Sequence, residues 1–165
     1  VKAGDYFESS VKWAVEKKIT TGTTATTFSP EETCTRAQIL TFLWRAQGSP
    51  KASGKNPFSD VSANDYFYDA AVWANEKGMV DGGKFLGDTP CTRSSTVTYI
   101  WQSDSPDAAS TGTFKDVAAD ADYAKAVEWA VAQGITSGTS ATTFSPDEIC
   151  SRAQIVTLLY RAINK

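Results

Sequence analysis

The sequence predicts an all-α fold in which three helix-loop-helix repeats gather their most apolar helices into a central three-helix bundle of pseudo-threefold symmetry. The first observation behind this is a repeated phrase: Phe28-Ser-Pro-Glu-Glu-Thr-Cys34-Thr-Arg36-Ala-Gln38 returns as Phe144-Ser-Pro-Asp-Glu-Ile-Cys150-Ser-Arg152-Ala-Gln154. A degenerate copy, Phe85-Leu-Gly-Asp-Thr-Pro-Cys91-Thr-Arg93-Ser-Ser95, lies between them. The second observation is that each phrase leads into apolar residues at helical spacing, with Ile39, Phe42, Leu43 and Ala46 at i, i+3, i+4 and i+7 in the first copy. The third is physical: one repeat cannot bury so wide an apolar face by itself, whereas three such helices can cover one another.

The registration of the repeats follows from single residues. Val1, Phe7, Trp13, Gly22 and Cys34 recur without a gap as Val117, Tyr123, Trp129, Gly138 and Cys150. The middle copy keeps one offset for Val61, Phe67, Trp73 and Gly82, then a shorter one from Phe85 onward, having lost three residues between Gly82 and Phe85. The expected division of the single domain is a first repeat over 1–50, a second over 56–105 and a third over 112–165. The second and third open with Phe58-Ser-Asp60-Val61 and Phe114-Lys-Asp116-Val117, an opening the first lacks, and Val1 falls inside a repeat, so the chain reads as a segment of a longer protein.

Within each repeat a first helix is expected over Tyr6–Lys18, Phe67–Lys77 and Tyr123–Gln133. In the first copy Phe7, Val11, Ala14, Val15 and Lys18 share one face of it. Gly78 and Gly134 supply helix ends, with Lys18 at the equivalent place. A turn glycine follows, then a Thr-rich loop and Phe-Ser-Pro, whose Phe is expected to plug the core. Thr35 and Ser151 are N-caps, Gln38 and Gln154 complete capping boxes, and the pairs Cys34–Ile39 and Cys150–Ile155 form hydrophobic staples. The second helices then run through Ile39–Ala46 and Ile155–Ala162, with a weaker, more β-branched version from Thr96 to Trp101. Linkers rich in Ser, Gly, Pro and Ala separate the repeats over Gln47–Asn56 and Ser103–Thr113.

Composition narrows function. A net charge of −3 and the absence of any sustained basic run leave no means of neutralising a phosphate backbone, which excludes nucleic acid as a partner. No apolar run approaches the length of a membrane span. Histidine is absent, which removes the commonest general base and metal ligand. The three cysteines lack Cys-x-x-Cys spacing and read as small buried hydrophobes, a thiolate site on the threefold axis being the alternative. No cofactor is implied. Asp60 and Asp116 read as local caps or turn formers rather than catalysts.

Three tandem units, each with Phe-x-Asp-Val, an aromatic Ala-Val-x-Trp-Ala helix, a Gly turn, Phe-x-Pro and a Thr-Arg-Ala phrase, resemble surface-layer homology (SLH) domains over essentially the whole chain. The resemblance implies a three-pronged spindle around the helical bundle, an extracellular protein at the bacterial cell surface, and non-covalent anchoring to cell-wall polysaccharide. Its ligand would be a secondary wall polymer ending in a pyruvate-ketal sugar, held in grooves between adjacent repeats. The family's Thr-Arg-Ala-Glu is altered here to Gln38 and Gln154, and the middle copy reads Thr92-Arg-Ser-Ser95, so the middle groove is expected to differ.

Arg36, Arg93 and Arg152 are the leading binding candidates, because an arginine in a first helical turn opposes the macrodipole and needs another reason to be there. Each could hold a carboxylate alongside free helix-start amides, or pair with Glu31, Asp88 or Asp147. Trp13, Trp73 and Trp129 either pack against a neighbouring repeat or present a platform for a sugar ring. The turn glycines Gly22, Gly82 and Gly138 complete the candidate polysaccharide-binding set. A protein-interaction module on the same scaffold is the alternative, and an enzyme is disfavoured for want of histidine, a metal motif or a nucleophile elbow.

Overall fold

The computed structural model describes residues 1–104 and 114–164. Its helices are α1 Glu8–Glu16, α2 Arg36–Ala46, α3 Tyr68–Glu76, α4 Arg93–Asp104, α5 Ala124–Ala132 and α6 Arg152–Ile163, two per repeat. The linker expected up to Thr113, with the repeat limits at 105 and 112 and the terminal Lys165, lies outside the described residues.

The second helix of each repeat starts where the capping residues demand. In α2 the Thr35 hydroxyl accepts from the Gln38 amide and the Gln38 side chain accepts from the Thr35 amide, and Ser151 with Gln154 does the same for α6. The middle helix keeps half of this device: Thr92 Oγ1 accepts from the Ser95 amide at 3.1 Å, and the shorter serine bonds the threonine hydroxyl instead of the backbone. Lys18, Gly78 and Gly134 all end first helices in the left-handed region, at φ of 58°, 68° and 67°.

Closure comes from an exchange between repeats. Each first helix packs on the second helix of the preceding repeat: α3 on α2, α5 on α4, and α1 back on α6, which joins the two ends of the chain into a ring. At the axis, the cysteine amides and carbonyls form a cycle of three hydrogen bonds, Cys34 to Cys150 at 3.1 Å, Cys91 to Cys34 at 2.9 Å and Cys150 to Cys91 at 2.8 Å. Ile39, Leu40, Leu43, Ile155, Val156 and Leu159 fill the bundle below this cycle and are almost wholly buried.

One expectation about α1 needs correction. Val15, expected on the shared apolar face, is 51% exposed, whereas Trp13, not counted in that face, is 8% exposed. The buried face is turned toward Ser10, Val11, Trp13 and Ala14 because the helix is wedged against α6, where Trp13 meets Tyr160 edge-on at 5.5 Å.

The openings of the second and third repeats act as clasps. Asp60 accepts from the Phe85 and Leu86 amides at 2.7 and 2.9 Å, and Asp116 from the Phe144 and Ser145 amides at 2.8 and 2.7 Å. Each clasp fixes the loop that carries the core phenylalanine, so these carboxylates act across 25–29 residues rather than as the local caps or turn formers expected of them.

Candidate functional site

The arginine after each cap reaches across to the next repeat. Arg36 Nη1 donates to the Phe85 carbonyl at 2.7 Å, Arg93 Nε to the Phe144 carbonyl at 2.8 Å, and Arg152 Nε to the Phe28 carbonyl at 3.0 Å. Arg93 lies 4.8 Å over the Phe144 ring, and Arg152 lies 4.9 Å over Phe28 and 5.5 Å over Phe42. The expected free amides at the helix starts are not free. The Arg36, Arg93 and Arg152 amides donate to the Thr89, Glu148 and Glu32 carbonyls, and the next amides, of Ala37, Ser94 and Ala153, to Gly87, Pro146 and Pro30. The neighbouring loop thus occupies the anion-binding position of each helix start. Nor does any of the three arginines have a carboxylate within 4.0 Å among the described residues. Arg152 is only 3% exposed, and its Nη2 is buried without an acceptor.

Three clefts lie between repeats, and crossing arginines line two of them. The cleft over α2, about 400 Å³, is lined by Arg152, Arg45, Gln38, Phe42, Tyr66 and the turn around Gly22. The cleft over α6, about 140 Å³, takes the equivalent residues of the third repeat: Arg93, Arg161, Gln154, Leu158, Tyr6 and the turn around Gly138. Arg45 and Arg161 are steadied at the rim by donating to the Ile19 and Ile135 carbonyls at 3.1 and 3.2 Å. The turns require glycine, since at φ of +86° and +85° a Cβ on Gly22 or Gly138 would sit 2.4 or 2.5 Å from the Thr27 or Thr143 carbonyl oxygen. Buried Thr20 and Thr136 accept the Gly22 and Gly138 amides, each at 3.2 Å.

The cleft over α4, about 520 Å³, has the same framework with different chemistry. Gln102 stands where the others have Arg45 and Arg161, Ser95 where they have Gln38 and Gln154, and Asp122 where they have Tyr6 and Tyr66. Tyr99 replaces Phe42 and Leu158, and Arg36 is absent from the lining. Gly82 is absent from it too; the left-handed glycine of this loop is Gly83, at φ +111°. Burial, then the nearby Asp147 and Asp122, raise the Tyr123 phenol above its ordinary range. Burial and Glu31 do the same to Tyr6 at the α6 cleft, and Tyr66 at the α2 cleft is raised by burial with a smaller contribution from Asp88. Two arginines and no carboxylate line each of the first two clefts, whereas two carboxylates and no arginine line the third.

Trp13, Trp73 and Trp129, at 8%, 3% and 8% exposed, are not brought to the clefts. They fill the packing between repeats, and Trp129 borders a separate apolar cavity with Leu43, Ile100 and Leu159 toward the C-terminal ends of the central helices. The cysteines converge on the axis as buried groups; burial pushes the Cys91 thiol up to about 12 and raises Cys34 and Cys150 as well. Thiolate, the form that binds metals, is thereby suppressed, and no described group of three or more His, Cys, Asp or Glu residues is placed to hold a metal ion. The lining residues missed from the sequence are Tyr6, Tyr66, Arg45 and Arg161. Their signal was present, because Arg45 and Arg161 occupy equivalent positions and the middle copy departs from them at Gln102.

The model of the S-layer homology domain matches residues 1–40 and 113–156, half of the chain and most of its first and third repeats. Among curated proteins, the chain is 37% identical over 86 residues to an endoglucanase of Bacillus sp. (strain KSM-635), covering 50% of this chain and 9% of that one. It is 25% identical over 158 residues to the exoglucanase XynX of Acetivibrio thermocellus, covering 90% and 14%. It is 26% identical over 170 residues to the surface-layer 125 kDa protein of Lysinibacillus sphaericus, covering 98% and 14%. The chain thus spans a small fraction of each relative's length. On its three repeats, its closed ring and the family match, the chain belongs to the S-layer homology domain family and is an extracellular, cell-wall-associated module of the bacterial surface.

Proposed function

We propose that the α2 and α6 clefts bind the anionic terminal sugar of a secondary cell-wall polysaccharide, a pyruvate ketal, and so hold a longer surface protein on the wall without a covalent bond. The observation that carries this reading is Arg152: a guanidinium 3% exposed, without a carboxylate partner, whose Nη2 is buried in the lining of the α2 cleft with no acceptor. Burying a cation without a counter-charge costs several kcal/mol. A ligand carboxylate would supply both the missing charge and the missing acceptor through a charge-assisted pair. Arg45 offers a second cation at the rim, Gln38 lies within the same lining, and the half-open Tyr66 ring gives the sugar an apolar face. Arg93, Arg161, Gln154 and Tyr6 repeat the set in the α6 cleft. Gly22 and Gly138 serve the ligand by letting the turn approach closely, while Arg36, Gly82 and the three tryptophans serve the scaffold.

The test is sedimentation of the protein with purified cell walls, before and after the secondary polymer is stripped, using wild type and an Arg45→Ala/Arg161→Ala variant. Those two arginines sit at the rim, so the variant keeps the fold while halving the cation set of each cleft. Loss of binding on stripping, and weakening by about tenfold or more in the variant, are expected. Equal binding to stripped walls would end the proposal.

A further inference from the structure

The α4 cleft is the largest of the three, about 520 Å³, and anion binding leaves it unused. The two departures from its counterparts that change charge both make it more negative. A rim arginine has become Gln102, a tyrosine has become Asp122, and the crossing Arg36 donates to the Phe85 carbonyl and is absent from the lining. Asp122 and Asp147 both line the cleft, no arginine does, and neither carboxylate has a cation within 4.0 Å among the described residues. Loss of affinity for an anion needs only the loss of an arginine. It does not require a tyrosine to become a carboxylate.

The rest of the lining suits a polyhydroxylated ligand. The Ser94 hydroxyl is committed to the Pro146 carbonyl at 2.9 Å and Thr92 to its capping bonds, but Thr98 Oγ1 is buried with no partner. Tyr99 and Tyr123 supply ring surface. Two carboxylates fall short of the six to eight oxygen ligands that a calcium ion takes, and no described cluster of three acidic, Cys or His side chains exists to make up the number.

We propose that the α4 cleft binds a sugar bearing a protonated amine, with Asp122 and Asp147 receiving the ammonium group and the Thr98 hydroxyl meeting the ring hydroxyls. The module would then read two features of a wall glycan at once, acid in two clefts and free amine in the third. This rests on the reading of the α2 and α6 clefts as anion sites only in contrasting charge, and the two are tested separately.

The experiment is an NMR titration of the whole chain with glucosamine, N-acetylglucosamine and lysine amide at about pH 6, where amines of this class are protonated, followed by a pyruvate-ketal monosaccharide. Glucosamine is expected to perturb Tyr99 and Tyr123 and to bind about tenfold or more tighter than N-acetylglucosamine, the scale of one charge-assisted contact. Asp122→Asn/Asp147→Asn should erase that preference, and Arg45→Ala/Arg161→Ala should leave it intact. Equal affinity for the acetylated sugar, or a preference surviving the double Asn variant, would overturn the amine; lysine amide binding as well as glucosamine would overturn the sugar. Retained ketal binding in the Asn variant shows that it folds, and failure of the ketal alone would overturn only the anion reading.

Discussion

Arg152→Ala separates the scaffold role of the crossing arginines from their candidate binding role. The wild-type side chain donates to the Phe28 carbonyl at 3.0 Å and lies over both Phe28 and Phe42. Losing a hydrogen bond from a charged donor costs about 1.5–3 kcal/mol, and losing a desolvated cation–π contact costs about 0.5–2 kcal/mol. Against this, removing a buried cation without a counter-charge returns part of its desolvation. The balance is a destabilisation of about 2–4 kcal/mol, and at about 2–4 °C per kcal/mol for a chain of this size Tm should fall by roughly 4–16 °C. Arg36→Ala removes a half-buried side chain with one carbonyl bond, which solvent partly replaces, and should cost less, about 1–1.5 kcal/mol. Urea and thermal unfolding followed by circular dichroism give both values. If Arg152→Ala proves no more destabilising than Arg36→Ala, the ring is not held by its crossing arginines in the way the geometry requires.

Gly138→Ala would place a Cβ 2.5 Å from the Thr143 carbonyl oxygen and 2.6 Å from the Phe114 ring at φ +85°, and should destabilise by more than about 2 kcal/mol. Gly78→Ala, with nothing within 4 Å of its Cβ, should cost only the left-handed backbone, about 1 kcal/mol, in the same denaturation assay. Desolvation opposes ionisation of Asp116, but the Phe144 and Ser145 amides outweigh it and hold the carboxyl below its ordinary range. A depressed folded value means stability that is complete above the unfolded value, about 3.9, and lost as pH falls through the folded one. Asp116→Asn should therefore be less stable than wild type above about pH 4, with the gap closing in more acid solution, as paired pH-dependent melts would show. The axial thiols should react with a disulfide reagent at the rate of global unfolding in native buffer and at once in denaturant; fast native labelling would contradict their burial.

Much of the architecture was legible because periodicity and capping are local. Thr35 with Gln38 and Ser151 with Gln154 name their helix starts, and the apolar spacing after them names the face that must be buried. What stayed hidden depends on which repeat meets which. The Arg36 and Ala37 amides look free in the sequence because their acceptors, Thr89 and Gly87, belong to another copy some fifty residues on. Trp13 could either pack or carry a sugar when its helix is taken alone, and the packing role follows only once α1 is seen against α6. The clefts were half legible: the crossing arginines stood out inside the repeated phrase, whereas Arg45 and Arg161 lie a helix length beyond it. Their partners Tyr66 and Tyr6 arrive from the following repeat, which only the closed ring brings into place.

The account turns on two clefts of matched charge and a third of opposite charge. Calorimetric titration of the chain with a pyruvate-ketal monosaccharide tests it most directly. Two sites per chain are expected, with Arg45→Ala/Arg161→Ala weakening both and Asp122→Asn/Asp147→Asn weakening neither. Ketal binding that survives the arginine variant, or that depends on the α4 cleft, would contradict it.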